Sequence, residues 1–118
     1  MQTYRDLQVW GKSIDLVELT YRITQKLPDS EKFNLTSQMR RSAVSISSNI
    51  AEGHDRRANK EFIRFLHIAL GSSSELETQI EIAYRLQFFE KTDYDKLTSL
   101  ILEVRKMIST LITKIKTD

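Results

Sequence analysis

Chemistry in this 118-residue chain would have to come from two histidines, sixteen carboxylates and a scatter of serines, because there is no cysteine to supply a thiolate. A di-metal site in a helical protein needs Glu-x-x-His, where the i, i+3 spacing puts both ligands on one inward face. Ala51 and Arg64 stand three residues before His54 and His67, so neither histidine fits, and His67 reads as a helix-surface or interface residue. Glu75, Glu77 and Glu81 contain one i, i+4 pair, repulsive if exposed, and too few converging oxygens for a hard cation. They read as a solvated acidic face. The serines lie in no G-x-S-x-G elbow and no phosphate-cradling glycine loop, and none has an evident histidine partner. Asn49 and Glu52 flank the apolar positions Ile46 and Ile50. Asn49 is expected to be partly buried and bonded to a neighbouring helix. Glu52, whose charge opposes the dipole near a helix C-terminus, is expected to find an arginine partner. No catalytic, cofactor-binding or metal-ligating set results, and the expectation is a protein that is not an enzyme and has no cofactor.

What remains is the chemistry of positive charge. Residues 31–70 hold seven basic side chains (Lys32, Arg40, Arg41, Arg56, Arg57, Lys60, Arg64) against four acidic ones, while residues 71–95 hold two basic against six acidic. The chain is therefore polarised although its net charge is only +2. Arg57, Lys60 and Arg64 recur at i, i+3 and i+7, with Arg56 beside them, a spacing that suits a phosphate-contacting patch. Arg40 and Arg41 are weaker candidates, set about 18 to 24 Å away along a helix rising 1.5 Å per residue. A solvated basic face is the simpler alternative, and pairing across a subunit interface with Glu75, Glu77 or Glu81 is a third. No exposed aromatics interleave with the patch, since Phe62 and Phe65 are expected to face the core or a neighbour. Binding would then be electrostatic and weakly sequence-specific.

These side chains need helices to carry them. Leu7, Trp10, Ile14, Val17 and Tyr21 recur at spacings of three and four, with a second row at Leu16, Leu19 and Ile23. Pro28 ends that helix near Lys26. Asn34 is placed to cap a second helix through Leu35, Met39, Ala43, Ile46 and Ile50, with Gly53 as its left-handed terminator. Asn59 is placed to cap a third, and Thr92 with Asp95 resembles a capping box for a fourth. The expected spans are 6–26, 35–52, 59–87 and 93–116, joined by links short enough to make consecutive helices antiparallel. The expected fold is one all-α domain over residues 1–118, an up-down-up-down four-helix bundle.

Ser42, Ala43, Ser45, Ser47 and Ser48, and then Gly71, Ser72, Ser73 and Ser74, are poor helix formers that a close helix–helix approach would reward. A hydroxyl-lined ligand pocket and an oligomer contact are the alternatives. The second row on the first helix, with Phe65, Ile68 and Leu70 off the main stripe of the third, points to an oligomer. Three glycines and one proline are too few to punctuate an all-β fold. The amino terminus lacks a secretory pattern and no run approaches a membrane span, so a soluble, cytoplasmic protein is expected.

The stretches YRDLQVWGKSIDLV, FNLTSQMRRSAVSISSNIAEGHDR and KEFIRFLHIALGSSSELETQIEIAYRL follow one another from residue 4 to residue 86. In order and spacing they resemble the four-helix-bundle family encoded in intervening sequences of bacterial large-subunit ribosomal RNA genes. Residues 38–41, 48–53 and 69–76 carry most of the likeness, being poor sequences for a generic bundle. A proline is common in the family where this chain has Ser47. The resemblance implies a left-handed antiparallel bundle, a ring-like homopentamer and an association with ribosomal RNA. The accessory protein of diversity-generating retroelements is similar in fold and binds nucleic acid and a reverse transcriptase through a basic ring surface. No catalytic or cofactor residues follow from the likeness. Two functions remain open: an oligomeric scaffold binding RNA or another nucleic acid, and a protein-interaction module that binds none. Neither involves a membrane.

Overall fold

The computed structural model describes residues 3–117, so positions 1, 2 and 118 of the expected domain lie outside it. Four α-helices carry the fold: α1 (Gln8–Thr24), α2 (Leu35–Asp55), α3 (Asn59–Arg85) and α4 (Lys91–Thr117). Short 3-10 turns at Tyr4–Asp6 and Asp29–Glu31 precede α1 and α2, and the described residues contain no strand. The all-α expectation holds, with helix ends displaced by up to three residues.

Side-chain contacts between helices give their directions. Ser47 donates to Ser13 and Arg40 to Thr24, so position rises on α1 as it falls on α2. Ser45 meets Ser72, and Gly53 meets Phe65, giving the same reversal between α2 and α3. Arg105 reaches Ser73 while Tyr94 donates to Glu81, reversing α4 against α3. Lys12 pairs with Glu103 and Lys26 with Asp93, which returns α4 to α1 and closes the square. The four helices are antiparallel neighbours around one core of Leu16, Met39, Ile46, Ile50, Leu66, Leu76, Ile80, Leu97, Ile101 and Ile108, all fully buried.

The inner face of α1 is not the expected stripe. Val9, Ser13, Leu16, Thr20, Ile23 and Thr24 are buried, while Trp10, Ile14 and Val17 are half-buried and Tyr21 is 43% exposed. Hydroxyls can occupy the inside because each bonds a carbonyl of its own helix: Ser13 to Trp10 at 2.6 Å, Thr20 to Leu16 at 2.7 Å and Thr24 to Thr20 at 2.6 Å. A polar group satisfied in this way carries little burial penalty. Trp10 and Val17 pack against the edge of the core, so the apolar row Trp10, Ile14, Val17 and Tyr21 lies on a flank of α1, while Gln8, Asp15, Glu18 and Arg22 face solvent.

Three of the expected helix ends are built differently. Gly53 does not terminate α2; it is helical and buried against α3, and the left-handed residue is Arg57, at φ 61°. Asn59 is the first residue of α3 rather than its cap, a position held by Ala58. Thr92 lies inside α4, whose Asp93 is buried and accepts a hydrogen bond from Lys26 at 2.6 Å in place of a capping box. Asn34 does sit at the N-cap of α2, but the acceptor for Leu35 N–H is Glu31. The small residues bring α2 and α3 close, as expected, with Ser45 and Ser72 at 2.8 Å. They also serve the other pairs, through Ser47 to Ser13 and through Ser73 and Ser74 to Arg105.

Candidate nucleic-acid interface

Antiparallel packing brings the α2–α3 turn, the N-terminal 3-10 turn and the last turns of α4 to one end of the bundle. Arg57, Ala58 and Asn59 from the turn line a groove there with Leu7, Leu111 and Lys114. Lys114 is a cation that sequence reasoning missed, because it lies 57 positions from Arg57. Aligning the last turn of the fourth helix antiparallel to the 56–60 link would have found it.

The four leading candidates do gather at this end, though not on one helical face. Arg57 occupies the turn, so only Lys60 and Arg64 share a face of α3, one turn apart. Lys60 is exposed and makes no ion pair among the described residues. Arg64 donates twice to Glu61, at 3.1 and 3.2 Å. That hydrogen bond holds the Glu61 carboxyl below its ordinary range against the opposing effect of burial, with the charges of Arg64, Arg56 and Lys60 adding to it. The same bond raises the Arg64 guanidinium. Arg56 and Arg64 both stack on the ring of Phe65, at 5.1 and 4.6 Å from its centroid. An aromatic face shared in this way orients two guanidiniums, with the Nε and Nη2 donors of Arg64 committed to Glu61.

Arg40 and Arg41 do not join the cluster. Arg40 is half-buried, donating to Thr24 Oγ1 at 2.9 Å and the Tyr21 carbonyl at 3.4 Å and lying over the Tyr21 ring at 4.6 Å. Its guanidinium ties α2 to α1. Arg41 is exposed and unpaired among the described residues.

Other expected placements divide. Phe65 is buried and Phe62 half-buried, as expected of residues facing the core. Asn49 bonds its own helix through Ser45, at 2.8 and 3.0 Å, and not a neighbouring one. Glu52 is exposed and makes no ion pair among the described residues, although it lines a shallow groove with Arg56 and Tyr4. The acidic residues of α3 are not left to repel one another: Glu77 faces Arg105 at 3.5 Å and Glu81 accepts from Arg85 and from the Tyr94 hydroxyl. The Tyr94 and Arg85 hydrogen bonds hold the Glu81 carboxyl below its ordinary range, and Glu81 raises the Tyr94 hydroxyl in turn. Among the described residues no group of three His, Cys, Asp or Glu side chains could hold a metal, and no helix is long and apolar enough to cross a membrane.

Residues 5–110 match the family described as 23S rRNA-intervening sequence protein. The fold is similar to the crystal structure of a protein with unknown function from the S23 ribosomal protein family of Bacteroides thetaiotaomicron VPI-5482, with a TM-score of 0.82 and 26% identity over 89% of this chain and 95% of that one. No curated protein matches the chain.

Proposed function

The chain belongs to the 23S rRNA-intervening sequence protein family, and from that premise we propose that it is a non-enzymatic, oligomeric helical scaffold that holds RNA electrostatically in the cytoplasm. The observation that carries this reading is the pairing of Arg57 with Lys114 in one groove beside the α2–α3 turn, where Arg56 and Arg64 share the ring of Phe65. A net charge of +2 is too small to draw a nucleic acid to the molecule as a whole. Concentrated at one end, the same cations supply phosphate contacts, which give affinity without reading sequence. Arg64 reaches a phosphate by exchanging its bond to Glu61. Arg40 contributes least, because its guanidinium is committed to α1.

Self-association strengthens the reading. The half-buried flank of α1 formed by Trp10, Ile14, Val17 and Tyr21 is the surface we assign to contact between copies, and family likeness makes a homopentamer the expected ring. Repeating the basic end around a ring lets one RNA engage several weak sites at once. The test is Arg57→Glu, Lys60→Glu and Arg64→Glu together, which should abolish retention of structured RNA at low salt with helicity and oligomer mass unchanged. With four phosphates contacted, wild-type binding should weaken about fifty-fold from 50 to 200 mM salt through counterion release. The α1 stripe also favours a second reading, a protein-interaction module without RNA. Binding that persists through this salt range, to a protein partner and not to RNA, would select it.

A further inference from the structure

We propose that the contact between copies is directional, with the α1–α2 side of one bundle packed on the α2–α3 side of the next, an inference that rests on the self-association assigned above and names the surface that the α1 flank meets. Exposed apolar side chains are concentrated on these two sides. Tyr21 and Val44 are exposed at the seam of α1 and α2, Val44 lying between Arg40 and Ser47, which bond α1. Ile68, Ile82 and Leu86 are exposed on the flank of α3 turned to α2. Leu86 continues, in seven-residue steps, the row of Phe65 and Ser72 that meets Gly53 and Ser45, and Ile68 and Ile82 stand on the next row outward. Phe33, 90% exposed, stands in the link that enters α2. Among the described residues α4 exposes one large apolar side chain, Leu102.

Ion pairs are distributed the other way. Lys12–Glu103, Lys26–Asp93 and Arg105–Glu77 all cross to α4 and dress its two sides for water. The two sides that share α2 are tied by hydroxyls instead, Ser47 to Ser13 and Ser45 to Ser72. Apolar side chains grouped on one part of a surface and rimmed by polar ones mark an interface. If each face met its own twin, two separate interfaces would be needed, whereas packing one face on the other covers both with a single repeated contact. Adjacent sides of a four-helix square look about 90° apart, and a closed ring needs its two contact directions about 90° apart for four copies and about 108° apart for five. Such a ring turns α2 toward its axis and leaves the ion-paired sides of α4 outside.

Rotation about an axis parallel to the helices leaves every residue at its own height, so the two faces must match level by level. Ser45 and Ser72 meet at one level, and Ser47 meets Ser13 two residues nearer the α2–α3 turn. At 1.5 Å per residue Trp10 then lies about 7.5 Å from the Ser45–Ser72 level toward that turn, and Ile68 about 6 Å in the same direction. Arg40 lies about 7.5 Å the opposite way and Glu75 about 4.5 Å. Apolar side chains thus oppose apolar ones, and a cation opposes an anion. Glu75 interrupts the Ile68–Ile82 row as an exposed carboxylate without an ion pair among the described residues. Arg40 is held over the Tyr21 ring in the opposing seam, and its Nη1 makes no hydrogen bond among the described residues. An unpaired carboxylate and a fixed guanidinium at nearly one height make the faces complementary in charge.

The chain has no cysteine, so thiols can be placed on one face at a time. Light scattering of the full chain reads assembly, and a short bismaleimide followed by a denaturing gel reads the contact. Ile14→Cys and Ile68→Cys combined in one chain should give a ladder of linked copies, while either alone, or Ile68→Cys with Leu102→Cys, should give none. The two single variants mixed should link in pairs and no further, a readout that does not require the combined variant to assemble. Linkage within either single variant marks a twin-on-twin contact and overturns the proposal, as does an assembled mixture that fails to link. Glu75→Lys should keep its helicity, because the side chain is exposed, and weaken assembly about tenfold by facing Arg40 with a like charge. Assembly as tight as wild type overturns the proposed pairing of faces. A wild-type chain that stays monomeric across micromolar concentrations overturns self-association and this contact together, whereas an assembly that does not link overturns this contact alone.

Discussion

Replacing Gly53 by alanine sets two effects of opposite sign against each other. A glycine in a helix interior gives up about 1 kcal/mol relative to alanine, so the substitution should stabilise α2 on propensity alone. An ideal Cβ at position 53, however, stands 2.6 Å from the Cβ of Phe65, 3.1 Å from Phe62 Cδ1 and 3.4 Å from the Phe62 carbonyl. The Phe65 Cβ is the root of its side chain and cannot swing away, so the two helices must part by about 1 Å to reach ordinary contact. Overpacking of this kind costs about 1–3 kcal/mol. The net result for Gly53→Ala is a loss of up to about 2 kcal/mol. Gly71 is the internal control, because nothing lies within 4 Å of a Cβ added there. Gly71→Ala should gain about 1 kcal/mol. Urea unfolding of both variants isolates the overpacking cost as the difference between them, and in thermal melts 1 kcal/mol should appear as about 4 °C. A Gly53→Ala protein as stable as Gly71→Ala would refute the close approach of α2 to α3 and with it the placement of the turn that carries Arg56 and Arg57.

Gln87 sits at φ 64° just past α3, where its N–H bonds the Tyr84 carbonyl and Phe88 N–H bonds Ala83, a Schellman turn without its usual glycine. Gln87→Gly should therefore stabilise by about 1 kcal/mol in urea unfolding, and a loss of stability would contradict the left-handed assignment. Glu81 has its carboxyl held low by Tyr94 and Arg85, so its contribution is present above the ordinary value of 4.5 and is lost as pH falls through the depressed folded value. In Tyr94→Phe the Glu81 titration followed by NMR should move up toward the ordinary value, and an unmoved titration would sink the assigned cause. Lys26 is raised above 10.5 by its bond to Asp93, so that contribution is complete below 10.5 and is lost as pH rises through the raised folded value. Asp93→Asn should flatten the alkaline limb of a stability–pH curve, and an unchanged limb would show the pair to be without effect.

The inward stripe of α4 was legible in the sequence, because Leu97, Ile101, Val104 and Ile108 are apolar and regularly spaced, although its start was not, since Thr92 lies inside the helix. The inner face of α1 was not. Ser13, Thr20 and Thr24 count as polar in any periodicity, yet each is satisfied by its own helix, so burial follows geometry and not side-chain class. Gly53 misled for a related reason: a glycine near a helix end suggests a left-handed terminator, and only the nearness of Phe65 shows that the missing side chain makes room for a neighbour. Within the candidate site, the nearness of Arg56, Arg57, Lys60 and Arg64 follows from their sequence positions, but the i, i+3, i+7 spacing misplaced Arg57, which occupies the turn and not the face of α3. Lys114 belongs to the site only through the antiparallel return of α4, which no local pattern expresses.

The most direct test of electrostatic RNA binding is the slope of log binding constant against log salt for the assembled protein and a structured RNA. Four phosphate contacts predict a slope of about −3, and each cation removed should reduce its magnitude by about 0.7 to 0.9. Lys60→Gln should show that single step, the combined Arg57→Glu, Lys60→Glu and Arg64→Glu protein should keep a slope no steeper than about −1, and Arg41→Gln should match wild type. A flat wild-type slope, or a triple variant whose slope equals that of wild type, would contradict the account.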